Sequence, residues 1–257
     1  MKIVRSNILP ILIMTVLNSF AGSDFYTPDV DLKALSASAE ADAGLPNVLI
    51  IGDSISIGYT PGVVERLAGT ANVRRPDANC GDTRQGLRML ERWLGDTRWD
   101  VIHFNWGLHD LCYRHPDAKV YGNRDKVNGT ISVDPKQYAL NLEALVQQLK
   151  TKGATLIWAS TTVVPEGEAG RFVGDDIKYN AIAAEIMERH GIAINDLHAL
   201  SDTFPPALFT KSGDVHFTRT GSDKLAEQVA EAIRSALDAR AGMNEDMGAH
   251  FKSSPAD

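Results

Sequence analysis

The sequence predicts an α/β fold, a three-layer α/β/α sandwich built on a parallel sheet of about five strands. Three observations predict it. Short apolar runs recur at Val48–Ile51, Val101–Phe104 and Leu156–Ala159, each with the length and continuity of a strand buried on both faces. Segments of helical period lie between them. Connections of that length join parallel strands by right-handed crossovers and lay helices on both faces of the sheet. A chain of 257 residues, 44% of them apolar, suits one domain with a full core and is too apolar for a disordered polymer.

The elements follow in order. The first strand, Val48-Leu49-Ile50-Ile51, stops at Gly52, and Val63 to Leu67 reads as helical. Asn72 to Arg75 is a candidate second strand, and Leu87, Leu90, Trp93 and Leu94 recur at helical spacing after Thr83. Val101-Ile102-His103-Phe104 is the third strand, followed by an irregular stretch at 113–133, polar and glycine-containing. Tyr138, Leu142, Leu145, Val146 and Leu149 mark one face of a helix that Gly153 closes. The strand Leu156–Ala159 precedes a helix from Ile177 to His190, which Gly191 ends, and then a short strand, Ile192-Ala193-Ile194. Leu225, Val229, Ile233 and Leu237 form the last amphipathic face. No internal repeat is evident.

The ends carry separate signals. Lys2 and Arg5 precede an apolar run from Ile8 to Leu17, and small residues follow at Ser19, Ala21, Gly22 and Ser23. This is the order of a signal peptide over residues 1–23; the alternative is an N-terminal membrane anchor, for which the run is short. Residues 24–45 read as a linker, 46–240 as the domain and 241–257 as a disordered tail. The chain is thus expected to be exported, to the periplasm or beyond, without stable membrane insertion after cleavage. An oxidising compartment permits a Cys80–Cys112 disulfide; two buried free thiols are the alternative. A net charge of −7 argues against a nucleic-acid partner, because nothing would offset repulsion from phosphates. Only Gly52, Gly58 and Gly62 follow the first strand, so the Gly-x-Gly-x-x-Gly of dinucleotide binders is missing.

In an open parallel sheet the chemistry sits at the carboxyl ends of the strands. The first strand ends in Gly52-Asp53-Ser54-Ile55-Ser56. A serine there is either a nucleophile exposed above the sheet or a helix-capping residue. The third strand ends in Asn105-Trp106-Gly107-Leu108-His109-Asp110, and Gly213-Asp214-Val215-His216-Phe217-Thr218 precedes the last helix. A His beside an Asp at a helix start is a candidate base with its orienting acid. His103 reads as core, and His190 as a cation at a helix end.

These residues resemble the motif blocks of the SGNH (GDSL-type) hydrolases, a family of flavodoxin-like fold. Gly52-Asp53-Ser54-Ile55 resembles the first block, and Asn79-Cys80-Gly81-Asp82-Thr83 the second. Gly107-Leu108-His109-Asp110 stands where the family has Gly-x-Asn-Asp, and Asp214-Val215-His216 where it has Asp-x-x-His. The resemblance implies that Ser54 attacks an ester carbonyl as His216 takes its proton, with the N–H groups of Ser54 and Gly81 holding the oxyanion. It implies no metal and no organic cofactor.

Two positions depart from the pattern. His109 replaces the family's oxyanion-hole asparagine. A neutral imidazole still offers one N–H, and a protonated one would donate more strongly and make activity sensitive to its titration. Asn105, four residues upstream, is the other candidate donor. The family's acid stands three residues before the histidine, where this chain has Gly213. Asp214 stands two before it, and either Asp214 or a backbone carbonyl orients His216.

An acidic, exported enzyme of this resemblance is expected to deacetylate a carbohydrate. The alternatives are a lipase or thioesterase, or a carbohydrate-binding member with impaired chemistry. Candidate substrate contacts are Asp53, Trp106, Tyr113 and Arg114. Tyr121, Arg124 and Lys126 lie in the same irregular stretch, where rings can stack on sugars and cations can meet uronate or sulfate.

Overall fold

In a computed structural model of the chain, residues 42–252 are described, 243–252 by backbone alone. The expected signal peptide and most of the expected linker lie outside the described residues. The described part of the linker is a turn in which the Leu45 N–H donates to the Asp42 carbonyl at 3.0 Å.

Five parallel strands form the main sheet: β1 (Asn47–Ile51), β2 (Asn72–Arg74), β3 (Val101–Phe104), then, after a small hairpin of β4 (Tyr113–Arg114) and β5 (Thr130–Ile131), β6 (Thr155–Ala159) and β7 (Ala193–Asn195). The spatial order is β2-β1-β3-β6-β7. Register pairs Ile50 with His103 and His103 with Ile157 across the centre. The chain winds outward from β1 to β2, then returns to the other side of β1 as β3. That reversal opens a crevice at the carboxyl ends of β1 and β3, where ligands bind in sheets of this kind.

Helices cover both faces. On one lie α1 (Ser54–Arg66) and the C-terminal α6 (Arg219–Lys252); on the other pack α2 (Thr83–Leu94), α3 (Pro135–Lys150) and α4 (Asp175–His190); the short α5 (Leu197–Asp202) lies against α6. Val48, Ile50, Ile51, Val101, Ile102 and Phe104 are fully buried, as are all five residues of the α3 stripe. α1 approaches α6 closely because Gly62 carries no side chain: a Cβ there would lie 2.8 Å from that of Ala226.

The strands fall where the apolar runs place them, within a residue at the ends. Three elements do not. α1 starts nine residues before Val63, because Asp53 caps it by accepting the Ile55 N–H at 2.9 Å, and Gly58, Pro61 and Gly62 blur its apolar period. The stretch 113–133 contains the β4–β5 hairpin. The last helix continues through Lys252, where a disordered tail from 241 was expected. Extending an existing helix adds one hydrogen bond per residue, and no proline interrupts it before Pro255.

Cys80 and Cys112 are both buried free thiols, so the disulfide is absent. Each thiol is turned to a carbonyl of its own loop, Cys80 Sγ to Ala78 at 3.9 Å and Cys112 Sγ to Tyr113 at 3.6 Å. Burial pushes the Cys80 thiol up to about 11, which keeps it protonated and inert.

Candidate active site

Ser54 is the first residue of α1. Its own N–H therefore has no acceptor within the helix and points out of the N-terminus. Its hydroxyl lies 2.8 Å from Nε2 of His216, and Nδ1 of that ring lies 2.6 Å from Asp214 Oδ1. Burial works to raise the Asp214 carboxyl, but the hydrogen bond and charge of His216 outweigh it and hold the group at about 2. Asp214 is thus an ionised acceptor. An imidazole that takes up the Ser54 proton must carry its own on Nδ1, facing that acceptor, which leaves the Nε2 lone pair turned to the Ser54 hydroxyl.

The short Asp-x-His spacing closes by a local turn. Oδ1 of Asp214 accepts the His216 backbone N–H at 3.1 Å as well as the ring N–H. An aspartate bonding two residues ahead is a common turn, and here it draws the imidazole back over the carboxylate. Gly213 explains the displacement. It has φ of +70°, and a Cβ there would lie 2.6 Å from the Gly167 carbonyl oxygen. No side chain fits where the family carries its acid.

The candidate oxyanion donors separate. Asn105 is not at the cavity. Its Nδ2 donates to the Ala159 carbonyl at 2.7 Å and lies 3.4 Å from Thr161 Oγ1, tying the end of β3 to β6. His109 does line the cavity beside Ser54, and neither ring nitrogen is committed to a hydrogen bond among the described residues. Burial lowers its imidazole to about 4, aided by the charges of Arg171 and Arg114 against those of Asp53 and Asp82. It is therefore neutral near pH 7, and the protonated, strongly donating form does not arise there. Gly81 stands at φ of +60°, its N–H donating to Asn79 Oδ1 at 3.0 Å.

The cavity holds about 350 Å³ beside Ser54 and His216. Of the candidate substrate contacts, Asp53 and Arg114 line it, although the Asp53 carboxylate is engaged in capping α1. Trp106 and Tyr113 do not. Trp106 is fully buried, its ring seated against Gly86 of α2 and its Nε1 donating to the Cys80 carbonyl at 3.4 Å. Tyr113 packs edge-on against Phe172, 5.2 Å between centroids. Arg171, Asn79, Leu108 and Val215 line the cavity without having been singled out for it. Nothing local marked Arg171, which reaches the site by donating from Nε to the Leu108 carbonyl at 2.7 Å, 63 residues away in sequence.

Three other described histidines serve elsewhere. His103 is fully buried in the sheet, where Asn195 Nδ2 donates to its Nε2 at 3.1 Å. His190 and His198 pair with Glu143 and Asp176. Among the described residues no group of His, Cys, Asp or Glu is arranged to hold a metal ion, and no helix is long and apolar enough to cross a membrane.

A doubly wound sheet with Ser, His and Asp linked in series at its switch point is the arrangement of a serine hydrolase. The chain belongs to the GDSL-like Lipase/Acylhydrolase family, whose profile matches residues 50–224. Among solved structures it is similar to an acetyl xylan esterase, AlAXEase, with 16% identity and a TM-score of 0.58 over 73% of this chain and 99% of that one. It is similar also to an acetyl-xylooligosaccharide esterase from Geobacillus Stearmophilus, in a mutant form (19%, 0.57, 72% and 93%), and to a lipase/acylhydrolase from Enterococcus faecalis (15%, 0.57, 74% and 96%). At these identities the likeness is one of fold. No curated protein matches the chain.

Proposed function

We propose that the chain is an exported serine esterase that removes acetyl groups from a carbohydrate. The observation that carries the reading is the series Ser54 Oγ–His216–Asp214, with separations of 2.8 and 2.6 Å. His216 takes the Ser54 proton on Nε2 as the oxygen attacks the ester carbonyl. Asp214 stabilises the imidazolium that results. The oxyanion is held by the N–H of Ser54 at the helix start and by His109, and by the Gly81 N–H once the substrate oxygen displaces Asn79 Oδ1 from it. His216 returns its proton to the leaving alcohol. Water, deprotonated by the same imidazole, then releases the acid and restores the serine hydroxyl.

Substrate class and location rest on separate support. The cavity admits a small acyl group and part of a sugar, and two of the similar folds belong to acetyl esterases of xylan or its oligosaccharides. Export rests on the leader-like order of residues 1–23. The test is acetate release from a panel of acetylated polysaccharides. Wild type should release acetate from at least one, and Ser54→Ala, folded by circular dichroism, should lose at least about a thousandfold in rate. Equal release by the variant would overturn the reading.

A further inference from the structure

Three arginines share the cavity with Ser54 and His216. Arg114 stands on β4, Arg124 in the loop between β4 and β5, and Arg171 before α4. On a chain of net charge −7 this is a local cluster of cations. The three are held as a wall. Arg114 donates from Nη1 to the Gly122 carbonyl. Arg124 donates from Nε to the Tyr121 carbonyl at 3.1 Å and from Nη1 to Glu168 Oε1 at 2.9 Å. Arg171 donates from Nε to Leu108 and from Nη1 to the same Glu168 oxygen at 2.9 Å.

Glu168 is fully buried, and its second oxygen takes the Gly170 N–H at 2.6 Å. One carboxylate thus anchors two guanidinium groups, and its capacity is used. In each of the three arginines Nη2 has no protein acceptor among the described residues. A partly buried guanidinium edge of this kind, fixed on one side and open on the other, is preorganised to receive an oxyanion by charge-assisted hydrogen bonds. The charge balance narrows the ligand. The Asp53, Asp214 and Glu168 carboxylates stand against the three guanidinium cations, so no net positive charge is left over, and a singly charged carboxylate meets less repulsion here than a dianionic phosphate.

We infer that this site selects esters whose substrate carries a carboxylate close to the scissile bond, with Arg114, Arg124 and Arg171 binding it. The inference rests on the esterase reading above and names its substrate class. The carboxylate has two possible positions, on the sugar as a uronate or on the acyl group as a half-ester of a dicarboxylic acid.

Two pairs of substrates separate these sources, each pair differing only in charge. The first is an acetylated methyl glucuronoside beside its uronamide, read by acetate release. The second is mono-para-nitrophenyl glutarate beside its methyl ester, read by nitrophenolate. In wild type, kcat/KM for the charged member of one pair should exceed that for the neutral member by about 10- to 100-fold, and the pair that shows the preference locates the carboxylate. In Arg114→Gln that ratio should fall about tenfold, and Arg114→Lys should recover part of it. A ratio is unaffected by loss of folded protein, so misfolding cannot imitate the result. Hydrolysis of the neutral members with ratios near one in both pairs would overturn the inference and leave the esterase reading standing. A preference that survives in both Arg114→Gln and Arg124→Gln would overturn its assignment to this wall. Absence of hydrolysis from all four substrates, in protein that also fails on acetylated polysaccharides, would remove the esterase reading and the inference with it.

Discussion

His109 and Asp214 are the residues on which this site departs from its family, and both departures have a physical account. His109 is kept neutral by burial, so it offers a single N–H, as an amide edge would. His109→Asn should stay within about tenfold of wild type, and His109→Ala should lose about 100- to 1000-fold in kcat, the usual cost of one oxyanion donor. Because its imidazole sits at about 4, the pH–rate profile should show no inflection from it above about pH 5. Both variants and the profile are read with a short-chain aryl ester. Asp214→Asn keeps the shape but removes the charge that fixes the His216 tautomer. It should lower kcat by about a thousand- to ten-thousandfold with KM little changed. A loss below tenfold would mean that the turn alone orients the ring.

At the scale of elements, the wall of the cavity depends on how the β4–β5 hairpin is tied to the loop before α4. Glu168 makes that tie through Arg124 and Arg171. Removing one partner of a buried ionic cluster leaves the other charges uncompensated, so Glu168→Ala should destabilise by about 3–5 kcal/mol in urea unfolding. Little of this tie was legible in the sequence. β1, β3, β6 and the α3 stripe are readable because burial imposes a period on neighbouring residues. Ser54 and His216, which the fold brings within 2.8 Å of each other, are readable because each sits at a strand end or helix start within a short motif. Glu168 and Arg171 belong to neither kind. They lie in a loop, and their partners Arg124 and Leu108 are brought near only by the tertiary fold. Asn105 and Trp106 misled for a related reason. A strand end looks alike in sequence whether its side chains turn to the crevice or, like these, to β6 and α2.

For the whole molecule, pH acts through buried histidines that must stay neutral. Burial drives the His103 imidazole down to about 3, whereas in the unfolded chain it titrates near about 6.5. Between those values the unfolded state binds the extra proton. Stability is therefore fully present above about pH 6.5 and is lost as pH falls toward 3. His109 acts with the same sign. Asp110, raised to about 7 by burial despite its bonds from Thr83, acts with the opposite sign, since its folded form holds a proton that the unfolded carboxylate has shed. A comparison of wild type with His103→Gln cancels the other groups. Between pH 7.5 and 5 the wild type should lose about 2 kcal/mol more than the variant. Equal losses would mean that His103 is not held neutral in the fold.

The central claim is that Ser54, activated by His216, is the atom that becomes acylated. A fluorophosphonate reagent tests it without knowledge of the substrate, because it reacts with an activated serine hydroxyl and leaves a stable adduct there. Intact-mass and peptide mass spectrometry should show one adduct per chain, on the peptide that contains Ser54, with no labelling of Ser54→Ala and labelling strongly slowed in His216→Ala. An adduct on another residue, or none from protein that hydrolyses esters, would contradict the account.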